Sequence, residues 1–134
     1  MKRRVFTVAV FVLLWATAGC ANKTPLVSTP VVPAAVGEVK LSTDDNNNTK
    51  VKVEVKYLAP PSALSPPRNA YVVWTWTGSG NPEKQGVLQI GDNRKGEIEF
   101  ITPAQNFDVI VTAEESADVR YPSSTIAMQT GVSR

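Results

Sequence analysis

The chain has 134 residues, of which 43% are hydrophobic and 19% are charged, with a formal net charge of +2. This length allows one domain, and the hydrophobic fraction is ordinary for a protein with a packed core, which excludes a disordered chain. Three of the fourteen basic residues precede residue 5; without them eleven basic residues face twelve acidic ones, a balance that excludes the basic footprint of nucleic-acid binding.

The first nineteen residues have the pattern of a signal peptide. The basic start MKRR is followed by the twelve-residue apolar run VFTVAVFVLLWA. At about 1.5 Å per residue a helix of this length falls short of the ~30 Å hydrocarbon core of a bilayer. The run therefore indicates the apolar region of a signal peptide, residues 1–19, rather than a membrane-spanning helix.

Two processing sites compete after this run. Ala16-Thr17-Ala18 fits the A-x-A pattern of ordinary cleavage after Ala18, whereas TAGC resembles a bacterial lipobox cut before Cys20, with Thr17 in place of the usual leucine. Ordinary cleavage would export an unpaired thiol, because Cys20 is the only cysteine of the chain. The sequence therefore favours a lipoprotein.

The lipobox resemblance implies a diacylglycerol on Cys20 and an acylated new N-terminus, with a fatty acid such as palmitate. More than one acyl chain gives stable anchoring to a lipid bilayer. The next residue is Ala21 rather than aspartate. By resemblance to lipoprotein sorting in bacteria with two membranes, this implies the periplasmic face of the outer membrane.

Residues 20–36 are predicted to form the lipidated N-terminus and a flexible tether. The segment ANKTPLVSTPVVPAAVG carries one charge and has neither a strand nor a helix period. Pro25, Pro30 and Pro33 disfavour a regular helix or a central strand and favour extended, polyproline-like geometry. The tether would hold the domain away from the bilayer.

Residues 37–134 are predicted to form an all-β domain. Val51, Val53, Val55 and Tyr57 alternate with charged residues and are expected to face one side of a strand. The other strand segments are GEVKLS, AYVVWTWT, GVLQI, GEIEFIT, FDVIVTA and STIAMQT. Polar turns, TDDNNN and GDNRKG, predict two hairpins, and LAPPSALSPPRN is a long connection stiffened by prolines. About seven short strands predict a small antiparallel, immunoglobulin-like β-sandwich.

Catalytic and metal-binding patterns are weak. The chain has no histidine and no G-x-S-x-G motif. Glu97 and Glu99 are expected on the solvated face of a strand. DDNNNT matches the start of a calcium loop, but Thr49 and Val55 stand where glycine and glutamate are required. The sequence therefore predicts a non-enzymatic protein with no cofactor and no bound metal.

Trp74 and Trp76 are candidate contact residues for a ligand or partner. They lie two residues apart on one strand and therefore share a face, about 7 Å from each other. On an open face the two indoles could stack on sugar rings, whereas large aromatic residues in small sandwiches usually fill the core. We expect at least one of them to be in the core.

Part of the domain resembles an extracytoplasmic β-domain of bacterial envelope lipoproteins of unknown function, similar to the C-terminal domain of anti-sigma-K-type regulators. The resemblance rests on Tyr71 with Trp74, Gly86 with Leu88, the segment VTAE, and Pro122-Ser123, over about 75 residues. It implies an envelope-facing sandwich that senses, binds or supports another component. Glu114 in this segment is expected to fix the following turn by accepting backbone hydrogen bonds or by pairing with Arg120.

Three functional classes follow, in order of preference. The first is a lipid-anchored, non-catalytic interaction domain that docks onto another envelope protein, for which an exposed strand edge is one route. The second is a module that binds polysaccharide or cell wall through Trp74 and Trp76. The third, an enzyme, is disfavoured by the absence of histidine.

Overall fold

In the computed structural model, residues 22–130 are described. They form eight antiparallel strands and a single 3-10 turn at Pro61–Ala63. The strands are β1 (Asn22–Ser28), β2 (Val36–Thr43), β3 (Thr49–Lys56), β4 (Ala70–Trp76), β5 (Glu83–Leu88), β6 (Gly96–Thr102), β7 (Asp108–Glu114) and β8 (Ile126–Thr130). The all-β prediction is confirmed. No helix within residues 22–130 is long and apolar enough to cross a bilayer.

The strands form one nearly closed sheet in the order β5-β4-β7-β8-β1-β2-β3-β6. The predicted β2–β3 hairpin is confirmed, with pairs from Val36–Lys56 to Thr43–Thr49. The predicted hairpin around GDNRKG is reduced to one bridge between Ile90 and Gly96, because β5 pairs with β4 and β6 pairs with β3. That bridge brings the two outer strands of the sheet together.

The predicted tether, residues 20–36, is wrong for residues 22–36. Residues 22–28 form strand β1, which pairs with β2 from Asn22 to Leu26 and with β8 from Leu26 to Ser28. Pro25 is tolerated because it lies where the described ladder has a neighbour on one side only, so its missing N–H breaks no bond on the other. The other two prolines of the segment follow the strand. Asn22 therefore already belongs to the domain, ahead of the predicted start at residue 37.

The core lies on the concave face of the curved sheet. Its buried members include Leu26, Val39, Val51, Val53, Val55, Tyr71, Val73, Val109, Val111 and Met128, and Ile98 and Phe100 pack against them. The alternating sequence pattern explains this arrangement, since every second side chain of a strand points to the same face. The expected inward position of Tyr57 is wrong. β3 ends at Lys56, Tyr57 has a φ of +57° and is 63% exposed, and Leu58 is buried instead.

Strand β4 is buried on both faces. Tyr71 and Val73 face the core, while Val72 and Trp74 lie on the other face with no exposed surface. The connection after β7 reaches this outer side, because the ammonium of Lys84, the register partner of Trp74, donates a hydrogen bond to the carbonyl oxygen of Ala117. This second covered face explains why AYVVWTWT is continuously apolar rather than alternating.

The connections between strands are divided between two ends of the sheet. The Asn22 end carries the start of β1 and the short connections 44–48, 77–82 and 103–107. The distal end carries the connections 29–35, 57–69, 89–95 and 115–125. Strands of seven or eight residues separate the two ends by about 25 Å.

Candidate functional site

A groove of about 620 Å³ lies at the distal end. All four connections of that end contribute to it, through residues 30–34, seven residues between 57 and 68, Arg94, and Ser124 with Thr125. Two of these connections, 29–35 and 57–69, also close the core beneath the groove with their own apolar residues, namely Val32, Ala35, Leu58 and Leu64. The floor of the groove is therefore fixed to the core of the domain.

The walls of the groove are mostly apolar. Three prolines line it, Pro30, Pro33 and Pro66, together with Val31, which is 39% exposed, and the buried Leu64. Proline has no N–H, so these positions offer few hydrogen-bond donors to a ligand. Apolar contact is the main interaction that the walls can make.

Tyr57 and Arg94 line the groove in strained conformations. Their φ angles are +57° and +59°, in the left-handed region that bulky side chains rarely occupy. The backbone N–H of Leu58 donates a hydrogen bond to the carbonyl oxygen of Arg94 over 3.1 Å, which joins the two strained segments. Strain of this kind costs about 1–3 kcal/mol per residue and concentrates at functional sites.

Arg68 supplies a second guanidinium to the groove. Its Nη1 lies 3.3 Å from Glu115 Oε1, and its Nη2 donates to Thr125 Oγ1 over 3.1 Å. Its Nε is buried and has no hydrogen-bond partner among the described residues. Since the side chain of Glu115 is 85% exposed, this ion pair is weak. The unused hydrogen-bond donor of Arg68 is its buried Nε.

A buried tyrosine supports the connection that forms one wall. The hydroxyl of Tyr71 donates a hydrogen bond to the carbonyl oxygen of Ala59 over 2.6 Å. Burial disfavours the phenolate and raises the pKa of Tyr71 to about 12. The hydroxyl therefore stays protonated and holds the 57–69 connection against the core.

The two candidate tryptophans do not form a stacking platform. Trp74 has no exposed surface, and its indole N–H donates to Thr112 Oγ1 over 2.8 Å. Trp76 is half-buried, and its indole N–H donates to the carbonyl oxygen of Gly80 over 3.1 Å. The expectation that at least one tryptophan is buried in the interior is confirmed by Trp74, which lies on the face of β4 opposite the main core cluster. A contact role for Trp74 is wrong, because its side chain has no exposed surface with which to touch a ligand.

The segment that resembles a calcium loop forms the turn between β2 and β3. Asp44 Oδ1 accepts hydrogen bonds from the backbone N–H groups of Asn46 and Asn48, and Asp44 Oδ2 accepts one from Asn48 Nδ2. The amide of Asn48 and then that of Asn46 lower the pKa of Asp44 below its usual range. Residues 22–130 contain no cluster of carboxylates that could hold a metal ion.

The other acidic candidates also have structural surroundings. Glu97 and Glu99 are exposed on β6, and Glu97 lies 3.3 Å from Lys52 Nζ in a ladder of surface ion pairs. Glu114 is buried, and its Oε1 accepts a hydrogen bond from the backbone N–H of Ser123 over 2.8 Å. The expected role of Glu114 in fixing the following turn is confirmed, through an amide rather than through Arg120.

Comparisons with known proteins add no relative. No family model matches the chain. Neither a curated protein nor a solved structure matches it either. The resemblance to anti-sigma-K-type regulators stays a prediction.

The residues of the groove were not identified from the sequence. The candidate lipidation site, Cys20, is a separate feature near the N-terminus. Cys20 and the signal peptide lie outside the described residues. Tyr57 and Arg68 come from one connection and Arg94 from another, and no sequence period links them. The signal that was available is the tyrosine at the end of a perfect alternation, directly before a proline-rich connection.

Proposed function

We propose that the protein is a bacterial lipoprotein, anchored to a membrane through acylated Cys20, whose non-catalytic β-domain docks onto another protein of the cell envelope. The observation that supports this most is that strand β1 begins at Asn22, two residues after the lipobox cysteine. Two residues span at most about 7 Å. The anchor therefore acts on the domain directly, without the spacer that the sequence suggested.

The position of the groove fits an interaction role. It opens at the distal end, about 25 Å from the Asn22 end that an acyl chain on Cys20 would hold at the bilayer. A protein held in this way presents Tyr57 and Arg94 to the space beyond the membrane. In a bacterium with two membranes, the proposed location is the periplasmic face of the outer membrane.

The assignment of the all-β sheet as an immunoglobulin-like β-sandwich is part of the same proposal. Side chains from distant strands of the sheet, such as Val53 of β3 and Val111 of β7, belong to one core cluster. Opposed halves of a curved antiparallel sheet that share a core are typical of β-sandwiches, here of the immunoglobulin-like kind. This assignment would also suit the resemblance to the extracytoplasmic domain of anti-sigma-K-type regulators.

The acylation is tested by mass spectrometry of the N-terminal peptide. We expect a peptide that begins at Cys20 and carries the mass of a diacylglycerol and one further acyl chain, in protein recovered from the membrane fraction. Cys20→Ala is the matched control and is expected to leave precursor or soluble protein. A peptide that begins at Gly19 with an unmodified thiol would contradict the anchor.

Docking is tested by cross-linking from native membranes, with the lipidated protein as bait and Cys20→Ala as control. We expect a discrete protein partner that depends on the anchor. Recovery of cell wall or polysaccharide without a protein would instead support the second functional class. That class has lost its two-tryptophan platform and would depend on Trp76 and on surfaces elsewhere.

A further inference from the structure

We infer that the distal groove binds an extended, acidic peptide segment of a partner protein. This inference rests on the proposed docking function and names the surface and the chemistry of the partner. It is carried by the charge of the groove, by its apolar walls and by the rigid placement of its rim.

Within the described part of the chain, the groove carries an unpaired positive charge at Arg94. Arg68 and Arg94 are its two formally charged lining residues, and no aspartate or glutamate of residues 22–130 lines it, but Arg68 is ion-paired with Glu115. The side chain of Arg94 makes no ion pair or hydrogen bond within residues 22–130, and Arg94 is exposed. A planar guanidinium matches a carboxylate with two parallel hydrogen bonds, so an acidic side chain is the complementary group.

The walls favour a peptide over other anionic ligands. An oligosaccharide presents many hydroxyls, whereas Pro30, Pro33 and Pro66 have no N–H to donate, and Tyr57 is the single aromatic ring on the lining. Lipid headgroups are disfavoured because an anchor on Cys20 holds the opposite end at the bilayer. An extended peptide can place apolar side chains against Val31 and Leu64 while a carboxylate pairs with Arg94.

Tyr57 and Arg94 form the strained rim of the groove, and their fixed backbone indicates that the binding groups are held in place before the ligand arrives. The hydrogen bond from Leu58 N–H to Arg94 C=O joins the turn of Arg94 to the segment of Tyr57. A rim fixed in this way avoids part of the entropy that a flexible site loses on binding. The strain of Tyr57 and Arg94 thereby has a functional reason.

The test measures selection from an oriented library of unstructured nine-residue peptides. One central position is fixed as glutamate, glutamine or lysine, and the mature lipidated protein is immobilised in detergent micelles. The matched variants are Arg94→Gln, which removes a lining charge, and Lys95→Gln, which removes the neighbouring charge outside the groove. N-terminal mass spectrometry of the same preparation reports acylation independently, so failure of the anchor and failure of the groove are told apart.

We expect the glutamate library to be enriched over the glutamine library, with weaker enrichment at high salt. Arg94→Gln should reduce the affinity of a selected peptide about tenfold, and Lys95→Gln should change it less than about twofold. Equal enrichment of all three libraries, or equal effects of the two variants, would overturn the inference. Displacement of the selected peptides by uronic-acid oligosaccharides at lower concentration than by acidic peptides would overturn it in favour of an anionic polysaccharide.

Discussion

The indole N–H of Trp74 donates a hydrogen bond to Thr112 Oγ1 over 2.8 Å, and neither residue has exposed surface. The bond crosses from β4 to β7, at register positions where Thr112 faces Val72 rather than Trp74 itself. It fixes the ring on the side of the sheet away from the main core. Trp74, which the sequence offered as a ligand contact, therefore stabilises the fold instead.

Replacement of this tryptophan is expected to destabilise the domain. Trp74→Phe removes the donor, leaves Thr112 Oγ1 unpaired and opens a small cavity, so we expect a loss of about 2–3 kcal/mol in the free energy of unfolding. Trp76→Phe is the control, because Trp76 is half-buried and should cost less than about 1 kcal/mol. Urea denaturation followed by circular dichroism measures both. A similar cost for the two variants would contradict the assignment.

The buried hydroxyl of Tyr71 predicts a loss of stability at alkaline pH. Its pKa is about 12 in the folded protein and about 10 in the unfolded chain, so the unfolded state releases the proton first as pH rises. The contribution is fully present below pH ~10 and declines between pH ~10 and ~12, by about 2–3 kcal/mol.

Tyr71→Phe separates this contribution from the titration of surface groups. The variant should lose about 1 kcal/mol at neutral pH, because the carbonyl of Ala59 loses its donor. Above pH ~10 it should be less sensitive to pH than the wild type, a difference measured by denaturation at a series of pH values. Parallel pH curves for the two proteins would exclude Tyr71 as the responsible group.

The turn around Asp44 predicts a stability contribution at the acid side. Amide hydrogen bonds lower the pKa of Asp44, so its contribution is present above the unfolded pKa of about 4 and is lost as pH falls through the folded pKa. Asp44→Ala should lower the melting temperature at pH 7, and the difference from the wild type should shrink below pH ~4. Calcium should leave both melting temperatures unchanged; a calcium-dependent rise confined to the wild type would restore the metal-site interpretation.

Closure of the sheet depends on a glycine. A Cβ at Gly96 would lie 2.7 Å from the carbonyl oxygen of Gln89, a backbone atom that cannot rotate away. Gly96→Ala is expected to cost about 1–3 kcal/mol and to increase hydrogen exchange along β5 and β6. Gln89→Ala, which keeps that carbonyl, is the control. Unchanged exchange in Gly96→Ala would show that the bridge between Ile90 and Gly96 does not hold the two strands together.

The strands with alternating patterns could be predicted from the sequence because alternation records burial on one face. Val51, Val53 and Val55 are all buried, and the polar turn after β2 lies where it was expected. β1 could not be predicted, since the suitability of Pro25 depends on which neighbour is paired there. The groove could not be predicted either, because Arg68 and Arg94 belong to separate connections that line one groove only in the folded sheet.

Orientation on the membrane is the most direct test of the account. The mature lipidated protein would be placed in vesicles containing nitroxide-labelled lipid, with one fluorophore on Asn46→Cys at the Asn22 end or on Asp92→Cys at the distal end. Acylated Cys20 has no free thiol to compete for the label. We predict strong quenching at position 46 and weak quenching at position 92, across a separation of about 25 Å. Equal quenching, or stronger quenching at position 92, would contradict an anchor at Cys20 that presents the groove away from the membrane.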